Sequence, residues 1–158
     1  MQVRSVTETD IPIWQALSFE YDGYVKESAA DLSQWYGGDD HSPAFGVYMR
    51  AKIAQKEAFI IVDCGGICQG IIAFSKRNNR ISFFAVSHHA DFAATAGALF
   101  DCAFAHLDIS KDIGINEIIS ASEWMGHHEE FFLGRGFMFQ GNSTENGVPV
   151  KTFVKLST

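Results

Sequence analysis

Apolar and polar positions alternate from Gln2 to Val6, the period of a short strand. Thr9-Asp10 then caps a helix, with Pro12 in its first turn, where proline costs no hydrogen bond. Ile13, Leu17 and Tyr21 recur every four residues and give that helix its buried stripe. Ser28 with Asp31 reads as a capping box before a short helix through Leu32, Trp35 and Tyr36, ended by Gly37-Gly38. Ser42-Pro43 opens a third helix, whose stripe is Phe45, Tyr48, Met49 and Ile53. Ala58 to Val62 and Gln69 to Ser75 are strands about a Gly65-Gly66 turn. The unbroken Ile71-Ile72-Ala73-Phe74 run implies burial on both faces. Arg77-Asn78-Asn79 turns the chain into a strand from Ile81 to Val86.

The clearest helix runs from Phe92 to Leu107, with Phe92, Ala96, Leu99, Phe100, Ala103, Phe104 and Leu107 on one face. Ile115 to Ala121 is a strand and Glu129 to Leu133 a short helix, closed by Gly134 and Gly136. Phe137 to Gln140 and Val150 to Leu156 flank the turn-rich stretch Gly141 to Gly147 as a terminal hairpin. The order is that of an α/β domain with a mixed sheet. At 158 residues, one domain over 1–158 is expected.

Composition narrows the function classes. Apolar residues make up 47% of the chain, which excludes intrinsic disorder. The longest uncharged apolar stretch, Phe92 to Phe100, is far short of the roughly 20 residues that span a bilayer. No membrane partner is expected, and without a signal peptide the expected location is cytoplasmic. The net charge of −7 repels phosphate backbones, so no nucleic-acid partner is expected either. Cys64, Cys68 and Cys102 are an odd set and close no disulfide framework. Two His pairs, His88-His89 and His127-His128, lack the Cys or Asp spacing of a familiar ligand set, so no metal is expected.

Three pieces carry a family resemblance. They are Val3-Arg4-Ser5-Val6-Thr7-Glu8-Thr9-Asp10-Ile11, then Phe83-Phe84-Ala85-Val86 with the loop and helix after it, then Phe131-Phe132-Leu133-Gly134-Arg135-Gly136-Phe137. In this order and at these separations they resemble the GNAT superfamily of N-acetyltransferases over essentially the whole chain. The resemblance implies a mixed, mostly antiparallel central sheet with a splayed strand pair, flanked by helices. It implies transfer of acetyl from acetyl-CoA to a primary amine of a small molecule or peptide, within a ternary complex. Phe84, Ala85 and Val86 would offer backbone groups to the pantetheine arm and thioester. Asp91, Phe92, Ala93, Ala94, Thr95, Ala96 and Gly97 would hold the pyrophosphate at a helix N-terminus.

Four residues depart from the family pattern. Asp91 and Ala94 stand where the phosphate loop has a basic or amide residue and a glycine. Phe132, counted with the cofactor site, stands where many members place a tyrosine that protonates the leaving thiolate, and Met125 replaces a family asparagine. These losses keep open an alternative, a weak or inactive GNAT-fold module that binds acyl-CoA or another ligand, and a third reading, an interaction domain with no cofactor. In the resembled fold both His pairs lie near the mouth of the splay, and His88 or His89 would assist deprotonation of the amine. Glu20, Tyr21, Tyr24 and Trp35 would form one wall of the acceptor site. Glu20, Asp22, Glu27, Asp31, Asp39 and Asp40 against Lys26 alone make a cationic acceptor the expectation. Terminal strands that often pair in the family make a homodimer possible.

Overall fold

The computed structural model describes residues 2–25, 43–145 and 147–158. The expected short helix around Leu32, Trp35 and Tyr36, with its Ser28 and Asp31 cap, lies outside them. Strand β1 (Gln2–Ser5) leads through a 3₁₀ turn at Glu8–Asp10 into α1 (Ile11–Val25). Arg4 clamps that turn, donating from both guanidinium nitrogens to the Asp10 carboxylate at 2.7 and 2.9 Å. The Thr7 amide also donates to Asp10, at 2.8 Å, and these hydrogen bonds, Arg4 first, hold the carboxyl below its usual range. After α2 (Pro43–Ala54) come β2 (Ala58–Val62), β3 (Cys68–Ser75) and β4 (Arg80–Val86), joined as antiparallel neighbours. Then follow α3 (Phe92–Phe104), β5 (Ile113–Ile118), α4 (Glu123–Gly134), β6 (Met138–Glu145) and β7 (Val148–Lys155).

The seven strands form one sheet in the order β1-β2-β3-β4-β5-β7-β6, with β4–β5 its parallel pair. Each face has its own core. Trp14 and Leu17 of α1 and Phe45 and Met49 of α2 cover Ile60, Ile71, Ala73, Phe83 and Ala85. On the other face Leu99, Phe100 and Ala103 of α3 and Phe132 of α4 cover Ile61, Ile72, Phe74, Ile81, Phe84 and Val86. Gly70 lets α3 lie close to the sheet: a Cβ there would stand 2.9 Å from the Ala85 carbonyl oxygen and 3.0 Å from the Thr95 methyl.

A β-bulge sets the geometry of β4. Phe74 pairs with Ile81 and Ala73 with Phe83, so Ser82 is one residue too many. The extra residue moves Phe84 and Val86 onto the face of Ile81. Strand β5 pairs with β4 at Arg80 and Ile81, then leaves it at the bulge.

Several boundaries differ from the sequence pattern. The late helix begins at Glu123 rather than Glu129, because the Ser122 hydroxyl caps it by accepting from the Trp124 amide at 3.2 Å. His127 and His128 therefore lie inside this helix, not before it. The long helix ends at Phe104, and Leu107 is buried beyond its end. The fifth strand is shifted two residues towards the N-terminus at its start, and the terminal hairpin is longer on both arms. The three cysteines are free.

Candidate active site in the strand splay

Beyond the bulge, one edge of β4 faces away from β3 with no strand against it. The Ser87 amide bonds towards β3, to the Gln69 carbonyl at 2.8 Å. By alternation the backbone groups of Phe84 and Val86 turn to the open edge. Helix α1 fills part of that opening with one side chain. The Tyr21 hydroxyl lies 2.8 Å from the Val86 nitrogen and 3.0 Å from its carbonyl oxygen. Trp124 Nε1 of α4 donates to the same hydroxyl at 3.1 Å, and His128 Nε2 lies 2.7 Å from it. His128 is fully buried, and its Nδ1 is 3.0 Å from Glu117 Oε2 on β5. Groups from β4 and α4 thus converge on one phenol of α1. Burial pushes that phenol well above its usual pKa, so Tyr21 is protonated at neutral pH.

A second polar group stands at the mouth. Glu20 Oε1 meets His88 Nδ1 at 3.0 Å, and Oε2 accepts from the His88 amide at 3.1 Å and from the Tyr24 hydroxyl at 3.2 Å. Burial, with the nearby Glu20 carboxylate, pushes the Tyr24 phenol up to about 12. The Tyr24 carbonyl accepts from the Ser120 hydroxyl just past β5, which ties the end of α1 across the splay. His88 is largely exposed. His89 turns aside to the Ser87 hydroxyl at 2.7 Å.

The N-terminus of α3 opens beside this edge. Asp91 caps it and accepts from the Ala94 amide at 3.2 Å, which uses one of the first-turn donors. Phe92 leans on α4, with ring centroids 5.5 Å from Trp124 and 5.4 Å from His128. Thr95 and Ala96 point into the sheet and are fully buried, whereas Ala93 and Ala94 are exposed and Gly97 is half-buried. Phe132 is fully buried among Phe84, Phe100, Phe137 and Phe153. As a cofactor residue it is corrected: it is a core ring with no exposed atom.

No family model and no curated protein matches the chain by sequence. Solved structures do match. An acetyltransferase of the GNAT family from Bacillus cereus superposes with a TM-score of 0.68 at 14% identity, over 99% of this chain and 97% of its own. A variant of the spermidine N-acetyltransferase SpeG from Vibrio cholerae gives 0.64 at 12%, over 99% and 95%. A chain of the NatC complex bound to Gag peptide and CoA gives 0.64 at 17%, over 99% and 98%. The chain has the GNAT acetyltransferase fold.

Within the GNAT fold, the expected site residues fall into three groups. Glu20, Tyr21, Tyr24, His88, Phe84 and Val86 meet at the splay or its mouth; Ala85 is corrected, because its backbone groups turn to β3 opposite Ile71 and its side chain is buried in the α1–α2 core. Asp91 to Gly97 form the first turns of α3. His89 is drawn to Ser87, and Trp35 lies outside the described residues. The sequence reading missed Glu117 and Trp124, and it placed His128 in a loop. One signal was available: Met125, His128 and Phe132 step by three and four, which puts a histidine on a buried stripe. Among the described residues no cluster of His, Cys, Asp and Glu converges to hold a metal ion. Among them, too, no helix is long and apolar enough to cross a membrane.

Proposed function

We propose that this protein is an N-acetyltransferase that moves acetyl from acetyl-CoA to a primary amine. The observation that carries the reading is the open β4 edge at Phe84, beside the first turn of α3 and under a mouth lined by Glu20, Tyr24 and His88. The fold shared with the solved acetyltransferases supports it, and fold alone does not establish chemistry. Acetyl-CoA would be consumed as a substrate rather than held as a resident cofactor. Its thioester carbonyl would accept from the Phe84 amide, where the charge of a tetrahedral intermediate develops. The Phe92 and Ala93 amides, which have no acceptor within the helix, would take the pyrophosphate.

The amine arrives as an ammonium and must lose a proton before it attacks. His88 is the exposed base at the mouth: Glu20 holds Nδ1–H and leaves Nε2 to receive that proton. The same carboxylate favours a cationic acceptor. The other acids of that expectation, Glu27, Asp31, Asp39 and Asp40, lie outside the described residues. A spermidine acetyltransferase and a peptide-bound complex among the structural neighbours are both consistent with an amine acceptor.

One observation favours a second reading. The Asp91 carboxylate sits where the cofactor's negative charge would approach and uses an amide there. That fits a GNAT-fold module that binds acyl-CoA or another ligand without turnover. Thiol release from acetyl-CoA with a panel of cationic, neutral and anionic amines separates the readings. Turnover that is fastest with cations and weakens with salt supports the enzyme. A thermal shift with both acetyl-CoA and desulfo-CoA, without thiol release, supports the module. Neither shift nor release overturns both.

A further inference from the structure

Beyond the bulge the open edge of β4 has two rungs where a neighbouring strand would bond, Phe84 and Val86, and β5 has left before either. The Val86 rung is already taken. The Tyr21 hydroxyl accepts from the Val86 amide at 2.8 Å and stands 3.0 Å from the Val86 carbonyl oxygen. Trp124 Nε1–H fills its second lone pair at 3.1 Å, and His128 Nε2 lies 2.7 Å away. A phenol saturated in this way has no part in proton transfer. It does have the hydrogen-bond inventory of a backbone amide, one donor and two acceptor lone pairs. Tyr21 thus stands in for the strand that is missing there, and keeps the backbone groups of Val86 from being buried without partners.

We infer that Tyr21 competes with the acyl donor for Val86, so that the arm of the donor displaces the phenol as it binds. The inference rests on the acetyltransferase reading above, with the thioester at Phe84 and the pyrophosphate at the first turn of α3. Val86 lies between those two points, so the arm that joins them runs past it. That arm carries amide groups, which pair with an open sheet edge as an added strand does. Between them the amides offer what Tyr21 offers: a carbonyl oxygen for the Val86 and Trp124 N–H groups, and an N–H for the Val86 carbonyl. The exchange therefore leaves few groups unpaired. The freed hydroxyl turns towards the mouth, where the Tyr24 ring centroid is already 5.1 Å from that of Tyr21. Affinity for the donor is lowered by the bonds Tyr21 gives up, and only a ligand that carries the arm has to break them. Tyr21 is a positioning residue: it acts through Val86 and touches no reacting atom.

The test compares two probes, CoA and its nucleotide end alone, adenosine bisphosphate, which lacks the arm. In nitrogen-15 spectra of the wild type, CoA should move both the Val86 amide and the Trp124 Nε1–H resonances, because both protons change acceptor. The nucleotide should leave the Val86 amide in place. Tyr21→Phe removes the competing hydroxyl. By calorimetry it is expected to bind CoA about three- to tenfold more tightly and the nucleotide as before. KM for acetyl-CoA should fall by the same factor with kcat within about twofold, the pattern of uniform binding. Wild type that binds CoA with the Val86 amide unmoved, or Tyr21→Phe with unchanged or weaker CoA affinity, would overturn the competition and leave the acetyltransferase reading standing. A wild type that binds no CoA and turns over no amine would overturn both. The wild-type spectra decide the matter without any variant should Tyr21→Phe fail to fold.

Discussion

The two halves of β4 belong to one unbroken strand, yet they do opposite things. Arg80 and Ile81 sit between β3 and β5 and complete the sheet. Past Ser82 the strand keeps its partner on one side and loses it on the other. The backbone groups freed there would be costly if buried alone. Tyr21 meets them at Val86, and Phe84 is left beside the α3 N-terminus. One inserted residue therefore turns the same strand from a structural element into a site. Polar backbone that the sheet does not use is what the site is made from.

Truncation in the closed half should have the largest effect. Ile81 is 1% exposed within the α3–α4 core, and Ile81→Ala should cost about 2–5 kcal/mol in urea unfolding. Next comes a change that tests whether the open half extends along α4 to Phe132. Phe132→Tyr places a hydroxyl among phenylalanine rings with no partner. It should lose about 1–3 kcal/mol and gain no rate. A faster enzyme with unchanged melting temperature would extend the site to Phe132 after all.

Smaller effects sharpen the contrast. Asp91→Asn keeps the cap and removes the charge from the mouth of the α3 N-terminus. CoA affinity by calorimetry should rise about two- to fivefold, or about 0.4–1 kcal/mol, most clearly at low salt. The smallest effect lies outside both halves, at the Arg4–Asp10 clamp. Asp10 has its pKa lowered on folding, so the clamp contributes stability above the unfolded carboxyl pKa and loses it as pH falls through the folded one. The melting-temperature gap between wild type and Asp10→Asn should be full near pH 6 and close below about pH 4. A gap that persists at pH 2 would assign it to packing.

Most of the fold was legible along the chain. The face of α3 stands out at three- and four-residue steps, and the strands of the first hairpin fall where their apolar runs and glycine turns put them. The acceptor-side residues Glu20, Tyr21, Tyr24 and His88 were legible as candidates, through the family resemblance and their residue types. Their partners were not. Tyr21 and His128 are 107 residues apart, and no periodicity couples α1 to α4. The start of α4 was hidden because Ser122 is one short polar residue in a loop, and only its hydrogen bond to the Trp124 amide makes it a cap.

The sequence by itself determined the elements, the two apolar faces and the general α/β order, because burial imposes a period that can be read locally. It also put the candidate chemistry into the first helix and the loop after the central strand. Only the tertiary structure decided what those residues do. The bulge at Ser82 breaks the alternation that a reader of Arg80 to Val86 relies on, and the departure of β5 depends on a strand thirty residues further on. The role of Tyr21 follows from the same cause. Its hydroxyl is held by the Val86 amide of β4 and by Trp124 and His128 of α4, two elements that no local period couples to α1.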